Sequence, residues 1–270
     1  MDAVSRNYAT SGYASQAAML AACLTLIAGH GAAAQAATKS SPAIEPGAID
    51  ALRKMGAYLR SLQRFSVTGQ TEREEVLRDG EKVDLGGTLK YLVRTPDRFR
   101  GEINTDRKQR QIIYDGKTLT VYAPRMHYYA SVAAPSTIGA TIDTARARYG
   151  IEFPIADLFL WGTPRDGVKD LKSAQYIGSA RVNNTDTEQY AFRQEGVDWQ
   201  LWIARGATPL PVKMVITTTN ETSHPRYSAM LTWDLSPAVS DAVFAFTPPT
   251  GASRITLASY GIARATPVSK

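Results

Sequence analysis

The stretch QIIYDGKTLTVYAP, residues 111–124, places two β-rich runs on either side of Asp115-Gly116. Asp-Gly tolerates the positive φ of a tight hairpin turn, so the stretch predicts a pair of antiparallel strands. Its second arm alternates: Leu119 and Val121 point one way, while Thr118, Thr120 and Tyr122 point the other. The same two-residue period returns in Trp199, Leu201 and Ile203, and again in Tyr227, Ala229, Leu231, Trp233 and Leu235. Arms of this kind fill most of the chain. They imply one broad sheet with a large apolar face that another element must cover.

Working outward from the hairpin, two long extended arms at 64–78 and 81–94 meet through Arg78-Asp79-Gly80-Glu81. Strands follow at 98–103 and 126–131, then at 174–182, 185–195, 197–204, 211–220 and 225–235, with a last short one at 243–247. Gly86-Gly87 reads as a bulge inside the second arm. Helical spacing appears in three places. Ile49, Leu52, Met55, Leu59 and Leu62 form one apolar stripe over 47–62. Ile138, Ile142 and Ala145 do so over 137–149, and 153–161 reads as a short apolar helix with Pro154 in its first turn. The expected fold is mainly β: one curved antiparallel meander of about ten strands, curled into an incomplete barrel. The helices are the only elements free to cap its concave face.

The chain has 270 residues, 44% of them hydrophobic and 21% charged, which excludes wholesale disorder. Residues 1–36 carry one base, Arg6, and one acid, Asp2, so the formal charge of +6 survives their removal. That surplus favours anionic partners such as phospholipid headgroups, against the plain alternative of a solvated basic surface. No basic cluster interleaved with stacking aromatics is present, which argues against nucleic acid. The apolar run 19–28 is too short to span a bilayer and leads into Ala34-Gln35-Ala36-Ala37, a processing site. We therefore expect a cleaved signal peptide over 1–36, a linker over 37–46, one domain over 47–252 and a tail over 253–270. The only cysteine, Cys23, leaves with the signal peptide, unless Leu20-Ala21-Ala22-Cys23 acts as a lipoprotein signal and anchors the chain through lipid.

Chemistry-bearing motifs are lacking. His127 and His224 show no metal-ligand spacing, and Gly178-Ser179 lies inside a strand pattern rather than a nucleophile elbow. Glu74 and Glu75 are adjacent on a strand and so face opposite ways. The Asp-Gly pairs at 79–80, 115–116 and 166–167 read as turn chemistry. Neither a catalytic group, a metal nor a cofactor is expected. What remains is the concave apolar surface. The segment 151–161 (Ile151, Phe153, Ile155, Leu158, Phe159, Leu160, Trp161) is flanked by Gly150 and Gly162. It reads either as an ordinary packed cap or as a movable lid over a ligand cavity.

Four stretches in order resemble the family of the periplasmic lipoprotein carrier LolA, in particular a branch of uncharacterised predicted periplasmic proteins. They are the helix running into Leu62-Gln63-Arg64-Phe65, the element Arg94-Thr95-Pro96-Asp97-Arg98-Phe99, the Asp115-Gly116 hairpin with Tyr122-Ala123-Pro124, and the close Phe244-Ala245-Phe246-Thr247-Pro248-Pro249-Thr250-Gly251. The resemblance spans roughly residues 47–252. It implies a strongly curved, incomplete barrel whose cavity, closed by a helical lid, takes lipid or the acyl chains of lipoproteins. An arginine near the family's Arg-Pro element bonds lid backbone and holds the empty carrier shut. Arg94 is the nearest match here, with Arg98 and Arg100 as substitutes, although Thr95 stands between Arg94 and Pro96.

A periplasmic lipid or lipoprotein binder with transient membrane contact follows; the alternative is a periplasmic sensor or adaptor that binds a protein partner through the same half-barrel. The expected cavity lining is Leu119, Val121, Phe153, Leu158, Phe159, Trp161, Trp199, Leu201, Trp233 and Phe246.

Overall fold

A computed structural model describes residues 43–259. The signal-peptide and lipid-anchor expectations fall outside these residues. Helix α1 (Pro46–Ser61) starts on a proline, whose missing N–H costs nothing in a first turn. It buries Ala48, Ile49, Leu52, Met55, Gly56 and Leu59 along one stripe. The chain then lays down six antiparallel strands, each beside the last: β1 (Arg64–Val76), β2 (Lys82–Arg94), β3 (Arg98–Thr105), β4 (Gln109–Tyr114), β5 (Thr118–Ala123) and β6 (Tyr128–Ala133). Helix α2 (Ile138–Tyr149) follows, capped by the Thr137 hydroxyl and ended by Gly150 in the left-handed region at φ 62°.

The second meander begins on the opposite edge of the sheet. Strands β7 (Ser173–Val182), β8 (Thr185–Gln194), β9 (Val197–Ala204), β10 (Pro211–Thr218) and β11 (Arg226–Asp234) work back inward until β11 pairs with β1. A two-residue strand β12 (Ser253–Arg254) adds in parallel to β6. The result is one curved sheet of twelve strands in the order β12-β6-β5-β4-β3-β2-β1-β11-β10-β9-β8-β7, with its two edges unjoined. The incomplete barrel is as expected. The single meander is instead two, meeting at the centre, because the helical crossover carries the chain to the far edge.

Three local expectations are corrected. Gly86 and Gly87 sit in unbroken register opposite Glu72 and Thr71, so there is no bulge there. A Cβ on Gly87 would lie 2.8 Å from Thr71 Oγ1 and 2.9 Å from Asn104 O, so close strand approach explains that glycine. Residues 153–161 contain only a 3₁₀ turn, Ala156–Phe159, in place of a short helix. Likewise 243–247 is not a strand: a 3₁₀ turn, Asp241–Phe244, leads into irregular chain. The Asp-Gly pairs are turns, as read. Asp115 Oδ1 accepts the Lys117 and Thr118 N–H groups at 2.9 and 2.7 Å, and Asp79 and Asp166 do the same one turn each.

The core lies between the sheet and its helices. Alternate residues from β1 to β5 (Phe65, Val67, Leu89, Tyr91, Val93, Phe99, Ile112, Tyr114, Leu119) join the α1 stripe and α2 in one buried cluster. The intervening residues of β2 and β3, among them Leu92, Arg94 and Arg100, face outward. The segment after β11 crosses that outer face.

Candidate functional site

Between α2 and β7 the chain dives into the concave face. Phe153, Ile155, Leu158, Phe159 and Trp161 are each 1–5% exposed, buried between α1 and the sheet. Phe159 is the hub, with ring centroids 5.6 Å from Phe99, 6.3 Å from Tyr91 and 6.5 Å from Phe65. Phe153 meets Phe99 edge-on at 6.0 Å. Trp161 stacks at 6.5 Å on Trp199, which in turn stacks at 4.1 Å on Phe192. Offset and edge-on aromatic pairs of this kind add about 0.5–1.5 kcal/mol each beyond their burial.

Few polar ties fasten this insertion. Arg60, in the last turn of α1, donates to Phe159 O at 2.9 Å and Leu158 O at 3.4 Å. Tyr91 donates its hydroxyl to Pro154 O at 2.6 Å. Burial pushes the Arg60 guanidinium below its ordinary pKa and the Tyr91 phenol well above its own. Ile155 enters the 3₁₀ turn at φ 50°, a left-handed conformation that a β-branched side chain adopts only under constraint. Behind the turn, Gly56 and Gly162 touch through their backbones: a Cβ on Gly56 would sit 2.5 Å from Gly162 N. The flanking glycine Gly162 therefore answers to close packing as well as to its φ of 74°.

The structure places the residues of the expected lining in different surroundings. Leu119, Leu201, Phe153, Leu158, Phe159 and Trp161 are in the buried cluster, and Val121, Trp199 and Trp233 pack half-buried against it. Phe246 is a correction. It lies on the opposite face, 5.7 Å from Tyr122 and 5.2 Å from Tyr129, because irregular chain does not keep strand parity. Arg94 is the second correction. It alternates with buried Val93, so it points outward, bonding Asp241 at 2.5 Å and lying 5.5 Å over the Phe244 ring. Arg100 also faces out, donating to Val243 O at 3.3 Å. The arginine that bonds the backbone of the insertion is Arg60. Its one signal in the sequence is position, one residue beyond Leu59 of the buried stripe.

Two hollows of about 500 and 510 Å³ open elsewhere. The first lies on the outer face, between Lys90, Leu92, Arg100 and Glu102 of the sheet and Ser240, Ala242 and Val243. The second is a turn cleft around Lys172, Glu195 and His224. Within the core, the Tyr227 hydroxyl is buried with no hydrogen-bond partner among the described residues.

Asp157 gives the insertion a pH signature. Burial raises its carboxyl above the ordinary value, opposed in part by Arg146. The folded state therefore takes up this proton first. Its share of stability grows as the pH falls from neutrality through the folded pKa, and levels off below the unfolded value. Asp157→Asn is expected to remove that acid-side gain, read as the difference between parent and variant denaturation midpoints at neutral and mildly acid pH. Equal pH dependence in the two proteins would refute the assignment.

The curved, unclosed sheet thus covers an apolar insertion packed beneath a helix. The chain belongs to the family described as predicted periplasmic protein (DUF2092), whose model matches residues 48–258. That family places the protein in the periplasm. No helix among the described residues is long and apolar enough to cross a membrane. No curated protein matches the chain. Among solved structures, it is similar to a LolA superfamily protein from Nitrosomonas europaea, at 11% identity over 74% of this chain and 97% of that one, TM-score 0.35. It is similar to the Mycobacterium tuberculosis lipoprotein LppX, at 11% identity over 73% and 100%, TM-score 0.44. A third likeness is to the Pseudomonas aeruginosa MucA/MucB complex, at 18% identity over 74% of this chain and 61% of that one, TM-score 0.42.

Proposed function

We propose that the protein binds a lipid, or the acyl chains of a lipoprotein, between its curved sheet and the insertion 151–161, and carries it within the periplasm. The observation that supports this most is how the insertion is held. It is a layer of apolar and aromatic side chains, and among the described residues the side-chain hydrogen bonds that reach it come from Arg60, Tyr91 and the adjoining Thr163. Acyl chains replace such contacts like for like. Each buried methylene contributes about 0.8 kcal/mol, so a two-chain lipid needs no polar motif to bind.

Organic extracts of protein purified from its native envelope, analysed by mass spectrometry, are expected to contain lipid in near-stoichiometric amount. The rival reading is an adaptor that binds a protein partner. It draws on the same burial, since a face already filled by Phe153, Leu158 and Phe159 leaves only outer surfaces for recognition. Lipid-free protein that co-purifies with an envelope protein would overturn the first reading in favour of the second.

A further inference from the structure

We propose that the rim carrying Met126, Tyr128 and Ile255 docks the protein onto an anionic phospholipid surface. The inference rests on the lipid-binding reading and assigns the place where the protein meets its source of lipid. Among the described residues Met126 is the most exposed of the large apolar side chains, at 64%, with Tyr128 at 43% and Ile255 at 46%. They form one feature. The 3₁₀ turn Pro124–Met126 ends at His127, held at φ 54°, and leads directly into β6. The parallel pairing of β12 sets Ser253 beside Tyr128, and the Ile255 N–H donates to Tyr129 O at 2.8 Å. Two residues apart on neighbouring strands, Tyr128 and Ile255 share a face.

The charge around this rim is positive. The turn joining β3 to β4 comes to the same end of the sheet, because Arg125 donates to Asp106 O at 3.2 Å. That end presents Lys108, Arg125 and, from the other face of β12, Arg254, all exposed and none in an ion pair among the described residues. Arg107 is matched by Glu75, and the Asp106 carboxylate accepts the Gly86 N–H at 3.0 Å. Exposed methionine and isoleucine, a tyrosine suited to the headgroup level, and unmatched cations are the combination that an anionic bilayer surface takes up. The position also suits transfer. Ile103 and Val121 of the helix-covered face are only half buried, and both lie toward this end of their strands.

The test is sedimentation of the full mature protein with vesicles of phosphatidylcholine alone or mixed with phosphatidylglycerol. Binding is expected to the mixed vesicles only, and to fall as salt is added. Lys108→Gln with Arg254→Gln should weaken it about thirtyfold. Met126→Ser with Tyr128→Ser should weaken it on its own. Binding of a fluorescent fatty acid in solution, measured in parallel, should be the same in parent and variants. Rim-dependent vesicle binding by a parent that takes no fatty acid would support the docking surface while refuting lipid carriage. Equal vesicle binding by parent and variants would overturn the docking surface. So would indifference to vesicles together with rim-dependent capture of an envelope protein.

Discussion

Gly56→Ala is expected to destabilise the protein by about 2–3 kcal/mol, although alanine in a helix interior normally gains about 1 kcal/mol over glycine. The sign reverses because of what the added methyl meets. It would lie 2.5 Å from Gly162 N, 2.8 Å from Gly162 Cα and 3.0 Å from Trp161 C. All three are main-chain atoms, so no side chain can swing aside. Gly162 cannot retreat easily either, since it is held at φ 74° and faces the Gly56 carbonyl in return. The clash must move either α1 or the end of the insertion, and both belong to the same buried cluster. Gly47 supplies the control within the same helix, as a Cβ there meets nothing within 4 Å. Gly47→Ala should be neutral or stabilising in the same denaturant series. Gly56→Ala as stable as the parent would show that α1 and the insertion do not pack backbone to backbone. Amide exchange locates the damage: protection should fall in 151–161 before it falls in β1 and β2.

The features that came directly out of the sequence are the local ones. The α1 stripe, the Asp115-Gly116 hairpin and the alternation in β5, β9 and β11 depend on neighbours within one turn or one strand, so pattern alone reveals them. Arg94 and Phe246 went astray for a different reason. Arg94 took its role from an Arg-Pro element, but Thr95 shifts the parity by one, and parity decides which face an arginine serves. Phe246 sits in a stretch that resembles a strand and is not one; its place is set by the aromatic pocket of Tyr122 and Tyr129 across the outer face. Arg60 escaped notice because its partners, the carbonyls of Leu158 and Phe159, lie about a hundred residues away in sequence. Nothing in a helical stripe says which flanking cation will be drawn under an insertion. The same holds for the reach of β11 back to β1, which depends on how far the crossover carries the chain.

Trp161→Asp is expected to leave the sheet folded and to weaken fatty-acid binding about thirtyfold or more, whereas Leu119→Asp is expected to unfold the domain. The two positions differ in what they hold up. Leu119 is 2% exposed on β5, inside the paired sheet, next to Ile112 and Tyr114 of the same cluster. A carboxylate there meets apolar atoms from both sheet and helix, at a cost of about 3–5 kcal/mol. Trp161 is 5% exposed but belongs to the insertion, and its stacking partner Trp199 stays packed on Phe192 when it leaves. Strand pairing from β1 to β6 and from β7 to β11 does not pass through it. The charge therefore favours an insertion lifted toward water, in the region where acyl chains would lie. Desolvation raises the pKa of such a carboxyl, so the folded state binds its proton more tightly than the unfolded chain does. The stability deficit of either variant should shrink as the pH falls through that raised pKa, a signature that simple loss of tryptophan packing does not produce. Circular dichroism and thermal melting report the fold, and a fluorescent fatty acid reports the proposed lipid site. A folded Trp161→Asp that binds the fatty acid as tightly as the parent would exclude this site. Collapse of both variants would show that the insertion and the sheet form one sealed core, which leaves the carrier reading without a cavity.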